Sequence, residues 1–382
     1  MLRRDYQTDQ IRLVNIRTYQ GTRVELYRNL AYTCGVRGYQ TFVIASPVNI
    51  PEDEAHPLWV RMHGGGVGAF DSDGMYLPNW FYPDSLDEET SRQLARPLQE
   101  TGLVAKIQDH PARFRFLLPS MCDHDLFSGI GLPEPNNPHF PDENGRLRSA
   151  DGLLATKAAL AFTLSRYKTT HVFLHGTSAG AAGAFSVTHS FEIQGLKLSG
   201  IIMDSGIIDD RWIEIIQRVA RQNLAACVDY LPMEDAKLLT EKIGPIFAPD
   251  SLPKNLVSSG EMSVPIFLVW NRGDPTFCGE APIVYTGADG TMQVMNAVDY
   301  LMDGLRQAIQ VQSSGGRSQS LRMCVSSGPQ YCSVHAPTKT AYNQFQPAGD
   351  QDHLGMDYNQ YILDWVNERL KDPPPDFQDI GE

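Results

Sequence analysis

Apolar residues along this chain follow two rhythms that alternate. Short continuous apolar runs, bounded by glycine, proline and polar clusters, predict strands at 38–45 (GYQTFVIA), 56–62 (HPLWVRM), 114–119 (FRFLLP), 171–175 (HVFLH), 196–203 and 265–270. Between them, apolar residues recur at helical spacing: Leu154, Ala158, Ala161 and Phe162, then Val294, Val298, Leu301, Leu305 and Ile309. Tyr358, Ile362, Trp365, Val366 and Leu370 mark a last helix, and Pro373-Pro374-Pro375 stops it. Strands alternating with helices predict the α/β class, with a mostly parallel sheet covered by helices on both faces. Two stretches break the rhythm. Residues 70–137 are rich in Pro, Asp and aromatics and suit loops around a pocket. Residues 209–260 place Trp212, Ile215, Ile216 and Val219 on one helical face, as in an inserted helical cap or lid. No composition shift marks a boundary, so the expectation is one domain over 1–382 with that insertion.

Composition narrows the function classes. The chain has 382 residues and 42% hydrophobic content, enough for a large core. Its 32 Lys+Arg against 45 Asp+Glu give a net charge of −13, with no basic stripe, which argues against a nucleic-acid partner. No apolar run approaches the ~20 residues of a membrane-spanning helix. Met1-Leu2-Arg3-Arg4 is not followed by an apolar segment, so no signal peptide is expected and the location leans cytoplasmic. Six scattered cysteines, without CxxC spacing, predict reduced thiols and no zinc site.

Two glycine-rich motifs carry the chemistry. Gly176-Thr177-Ser178-Ala179-Gly180 matches G-x-S-x-G. Alone the pattern arises by chance in roughly one such chain in five. Here it follows a strand and opens a small-residue run suited to a helix, the strand–turn–helix context of a nucleophile elbow. His63-Gly64-Gly65-Gly66 also ends a strand, and uncovered backbone N–H groups there can donate to a developing oxyanion. The partner donor is expected to be the N–H of Ala179, so Gly65, Gly66 and Ala179 form the expected oxyanion hole.

HGGG upstream of GTSAG resembles the α/β-hydrolase fold of serine esterases. The segments WVRMHGGGVGAFD, HGTSAGAAG, IIMDSGIIDD, PIFLVWNRGD and QPAGDQDHLGMDYNQYILDWV stand in the order of corresponding motifs in the pectin acetylesterase-like branch, which includes the Notum-type carboxylesterases. The likeness touches residues 58–370 through short motifs only. It departs where Val67, not Trp, follows the glycines, and in its few cysteines. The resemblance implies a serine hydrolase of carboxylic esters, short-chain or acetyl, on small-molecule or saccharide substrates, with no cofactor and no metal. Lipase, thioesterase and peptidase activity on the same fold, or a non-catalytic binding protein, remain alternatives.

Chain order places the other triad members after the serine, acid first and histidine last. Asp274, in the turn after 265–270, is the expected acid, with Asp204 of the DSG segment as its rival. Only His335 and His353 follow Asp274. His353 is the expected base, because a final strand over 340–347 and a short turn would deliver it just before the last helix, where the family carries its imidazole. His335 is the alternative. Cys122-Asp123-His124-Asp125 and Asp71-Ser72-Asp73-Gly74 have metal-ligand residue types but read better as a polar pocket-edge loop and a turn.

Overall fold

Strands buried on both faces need apolar residues at successive positions, and the runs predicted above supply them. The computed structural model describes residues 6–35, 38–76, 95–134, 136–138, 149–212, 242–277, 281–287, 289–312, 317–325, 334–341, 345–347 and 357–377. The main sheet is built from β1 (Ile11–Tyr19), β2 (Thr22–Asn29), β3 (Gln40–Pro47), β4 (His56–Met62), β5 (Arg115–Pro119), β6 (Thr169–Thr177), β7 (Gly200–Asp204), β8 (Ile266–Asn271), β9 (Gln319–Val325) and β10 (Phe345–Pro347). They lie in the order β1-β2-β3-β5-β4-β6-β7-β8-β9-β10. The run from β5 to β9 is parallel, and antiparallel strands flank it at both edges.

The helices are α1 (Leu103–Gln108), α2 (Gly152–Arg166), α3 (Ala179–Glu192), α4 (Pro253–Ser259), α5 (Ala297–Gln312) and α6 (Tyr358–Arg369). Strand residues alternate between two cores. Leu58, Val60, Leu174, Ile201 and Leu268 pack with residues of α2, α3, α4 and α5. Trp59, Phe173, Ile202, Phe267 and Val269 pack on the other face with residues of α1 and α6. A mostly parallel sheet between two helical layers, with a strand–serine–helix turn at its centre, is the α/β-hydrolase fold.

Differences from the pattern reading have local causes. The β1–β2 hairpin was not predicted: β1 is an edge strand, exposed along most of its length, and its apolar residues Leu13, Val14 and Ile16 form no buried face. The helix expected from Val294 starts at Ala297. Val294 belongs instead to a hairpin of Pro282–Thr286 with Met292–Asn296, and the Asn296 side chain ends that strand by accepting the N–H groups of Val298 and Asp299. The strand expected over 196–203 joins its ladder only from Gly200. Of the expected cap, 209–260, residues 213–241 lie outside the described residues, including Ile215, Ile216 and Val219.

The reduced-thiol expectation is corrected. Cys34, after β2, and Cys122, after β5, form a disulfide across 88 residues of sequence. Cys324 is also disulfide-bonded.

Candidate active site

The C-terminal ends of β4, β6, β7 and β8 converge, and each delivers one part of the site. At the end of β6 the chain turns sharply into α3. Ser178 takes φ 53° and ψ −122°, a strained conformation for a residue with a Cβ. Glycine is required around it by close approach. A Cβ at Gly176 would sit 2.0 Å from the Gly180 carbonyl oxygen, and one at Gly180 would sit 2.2 Å from that of Met62. The Ser178 N–H donates to the Asp204 carbonyl at 2.8 Å, which fixes the elbow to the end of β7.

The glycine loop after β4 stands against this serine. A Cβ at Gly64 would lie 3.0 Å from the Ser178 Cβ. Gly66 adopts φ 73°, open to glycine and rare for other residues. His63 braces the loop from behind. Its Nδ1 lies 2.6 Å from the Gly64 carbonyl, and its Nε2 accepts the Met121 N–H at 3.3 Å. That pattern requires a neutral ring protonated on Nδ1. Burial favours the same state, pushing the His63 pKa down to about 3. No backbone hydrogen bond among the described residues uses the N–H of Gly65, Gly66 or Ala179.

His63 links stability to pH with a definite sign. Its folded pKa is about 3, below the ~6.5 of an unfolded histidine. Between those values only the unfolded chain takes up the proton, so the contribution is complete above pH ~6.5 and lost as pH falls toward 3. At ~1.4 kcal/mol per unit, and with the unfolded histidine already half protonated at pH ~6.5, this amounts to about 2 kcal/mol between pH 6.5 and 4.5. Urea denaturation of wild type and His63→Gln at both pH values should therefore show the stability gap shrinking at low pH. A constant gap would contradict a neutral buried imidazole.

Asp274 follows β8 and is buried. Its Oδ1 accepts the Thr276 N–H at 2.9 Å, and its Oδ2 lies 2.7 Å from His335 Nδ1. His335 is one-quarter exposed, and the Phe277 ring meets it edge-on at 5.5 Å. Among the described residues Asp274 thus pairs with the histidine that the sequence reading ranked second. His353 lies outside the described residues. Asp204, the rival acid, is occupied elsewhere. Its carboxylate accepts the Thr338 N–H at 3.0 Å, the Thr338 hydroxyl at 2.5 Å and the Ser205 hydroxyl at 2.9 Å. Burial pushes this carboxyl up from its usual range, and the donated hydrogen bonds oppose that.

Several supporting residues carried no sequence signal. Asn271, at the end of β8, donates to the carbonyls of Val325 (3.0 Å) and Val334 (2.7 Å) and accepts the Val325 N–H (3.0 Å). It thereby holds the start of the His335 loop against the sheet. Buried Arg61 pairs with Glu100 at 2.8 Å and reaches Thr177 Oγ1 at 3.2 Å, below the elbow. An asparagine or arginine in a strand run reads as an ordinary polar interruption, so only the fold discloses these roles.

The loop at 122–125 is a polar anchor. The Asp123 carboxylate accepts the N–H groups of Gly35 and of Asp151, the latter at 2.7 Å. The Asp125 carboxylate accepts those of Gly129 (2.8 Å) and Gly152 (3.0 Å), and Lys242 pairs with Glu134. Cys34, Cys122 and Asp123 converge within 4.8 Å, but both sulfurs are committed to the disulfide and offer no thiolate. Asp71 accepts the N–H groups of Asp73 and Met75 at 2.9 Å each, which makes 71–75 a turn. No described helix is long and apolar enough to cross a membrane.

No protein-family model matches the chain, and no curated protein matches it. Similar solved structures include brefeldin A esterase, a bacterial homologue of human hormone sensitive lipase, at 12% identity over 96% of this chain and 79% of that one, with TM-score 0.45. An esterase from Pseudomonas putida is 12% identical over 85% of this chain and 78% of its own, with TM-score 0.43. An S-formylglutathione hydrolase from Agrobacterium tumefaciens is 10% identical over 81% and 89%, with TM-score 0.44.

Proposed function

We propose that this chain is a serine hydrolase that cleaves carboxylic esters through an acyl-enzyme, with Ser178 as nucleophile, His335 as general base and Asp274 as the acid that orients it. The Asp274–His335 hydrogen bond of 2.7 Å, carried on a loop tied to the Ser178 elbow, supports this reading more than any other observation. An ester carbonyl would lie over the elbow. The Ser178 hydroxyl attacks the carbonyl carbon while His335 Nε2 takes its proton, and the Asp274 carboxylate stabilises the imidazolium. The Gly65, Gly66 and Ala179 N–H groups receive the oxyanion, with the positive end of the α3 dipole behind it. Collapse breaks the acyl–oxygen bond, and His335 returns its proton to the departing alcohol. Water, deprotonated by the same imidazole, then releases the acid.

The pectin acetylesterase-like order of the motifs favours acetyl or other short acyl groups, including O-acetyl groups on saccharides. A fluorophosphonate probe tests the chemistry without knowledge of the natural substrate. The expected result is stoichiometric labelling of the peptide containing Ser178, with faster turnover of p-nitrophenyl acetate than of its long-chain analogues. Folded protein that neither labels nor turns over these esters would overturn the reading. Preference for long chains would keep the hydrolase and discard the short-acyl assignment.

A further inference from the structure

We infer that His175 is a positioning residue for this hydrolysis, holding the loop of the proposed base in register with the nucleophile elbow through Thr338 and Asp204. The inference rests on the proposed serine-hydrolase reading of the site. His175 precedes Ser178 by three residues on β6, and its side chain is buried with its ring edge-on to Trp59 at 5.5 Å. Its Nε2 lies 2.9 Å from Thr338 Oγ1. The Thr338 hydroxyl has one proton, and the Asp204 carboxylate takes it at 2.5 Å. The remaining bond to Thr338 is therefore donated by His175 Nε2–H.

These bonds close a ring. Asp204 accepts the Ser178 N–H on its backbone carbonyl (2.8 Å) and the Thr338 N–H on its carboxylate (3.0 Å). The neighbouring Ser205 hydroxyl accepts the Ala336 N–H at 3.1 Å. The circuit thus runs from the elbow through β7 to residues 336–338, beside His335, and returns through His175 to the strand that carries the elbow. Nucleophile and base hang on one closed hydrogen-bond frame.

Packing alone does not call for histidine here. With Nε2 protonated, Nδ1 is a bare acceptor, and it is buried without a hydrogen-bond partner among the described residues. Such an orphan typically costs about 1–3 kcal/mol, which a phenylalanine or leucine would avoid. The polar ring is useful for the bond it donates to Thr338. Proton transfer is not its role: burial, aided by the charges of Arg61 and Lys339, holds its pKa well below the usual histidine range, so it stays neutral.

The test measures kcat and KM on p-nitrophenyl acetate for His175→Phe and His175→Gln, with Ser178→Ala as reference. Phenylalanine fills the space without donating, and the glutamine amide N–H can reach the position of Nε2–H. A misplaced base should cost about 10–100-fold in kcat in the Phe variant, at unchanged KM, and the Gln variant should regain most of it. Should the Phe variant fail to fold by circular dichroism, Thr338→Val against Thr338→Ser makes the same comparison from the loop. Equal kcat in the Phe and Gln variants, or an effect confined to KM, overturns the inference. Wild-type turnover in Ser178→Ala would instead overturn the parent reading. An inactive Ser178→Ala beside a fully active Phe variant removes the positioning role alone.

Discussion

Ser178→Ala is expected to reduce kcat on p-nitrophenyl acetate by about 10⁴–10⁶-fold and to abolish fluorophosphonate labelling, with the fold intact. Alanine keeps the Cβ that makes φ 53° costly, so it neither adds nor relieves backbone strain at the elbow. It also keeps the N–H that donates to Asp204. What disappears is the hydroxyl, and with it the covalent route. Residual turnover should come from the remaining oxyanion donors, the N–H groups of Gly65, Gly66 and Ala179. Ser178→Gly separates the strain from the chemistry. It should be equally inactive, yet about 1 kcal/mol more stable in urea denaturation, because glycine takes this conformation without penalty. An active alanine variant would remove Ser178 from the reaction. A glycine variant less stable than the alanine one would show that the elbow is not a strained element held in place by its neighbours.

The parts legible in the sequence were those fixed by local sterics. At Gly176 and Gly180 any Cβ would strike a carbonyl oxygen, so the motif and the turn imply each other. The strand at 56–62 was readable to its ends because it is buried on both faces and its composition shows it. The β1–β2 hairpin was not readable, since pairing at a solvent-exposed edge demands no apolar pattern. The Cys34–Cys122 disulfide was not readable either, because the loops after β2 and β5 meet only once the sheet has formed. Asp274, the proposed acid, was readable as a residue of a strand-end turn. Its partner was not. Chain order admits both His335 and His353, and what brings His335 to Asp274 is the grip of Asn271, Asp204 and Ser205 on residues 334–338. Those bonds join segments 61 to 134 residues apart, beyond the reach of any local rule.

That grip makes the second large effect specific to one histidine. His335→Ala is expected to lower kcat by about 10⁴–10⁶-fold, as much as Ser178→Ala, because the proposed mechanism puts both in one proton-transfer unit. For the same reason the double variant should be no slower than either single one, where independent contributions would multiply. KM should change little, since His335 is assigned to proton transfer and not to holding the ester. Phe277 and the buried Asp274 frame the imidazole on two sides, so its removal leaves a small, partly open space and a carboxylate without its ring partner. Exogenous imidazole at high concentration should therefore restore part of the rate in His335→Ala, and none in Ser178→Ala. His353→Ala provides the contrast and should retain most of the turnover. If His353→Ala collapsed kcat and His335→Ala did not, the Asp274–His335 pair would be a structural tie of the loop, and the base would be His353, as the sequence resemblance implies. If both collapsed, the imidazole rescue would decide, because only the variant missing its proton acceptor can be rescued by a free one.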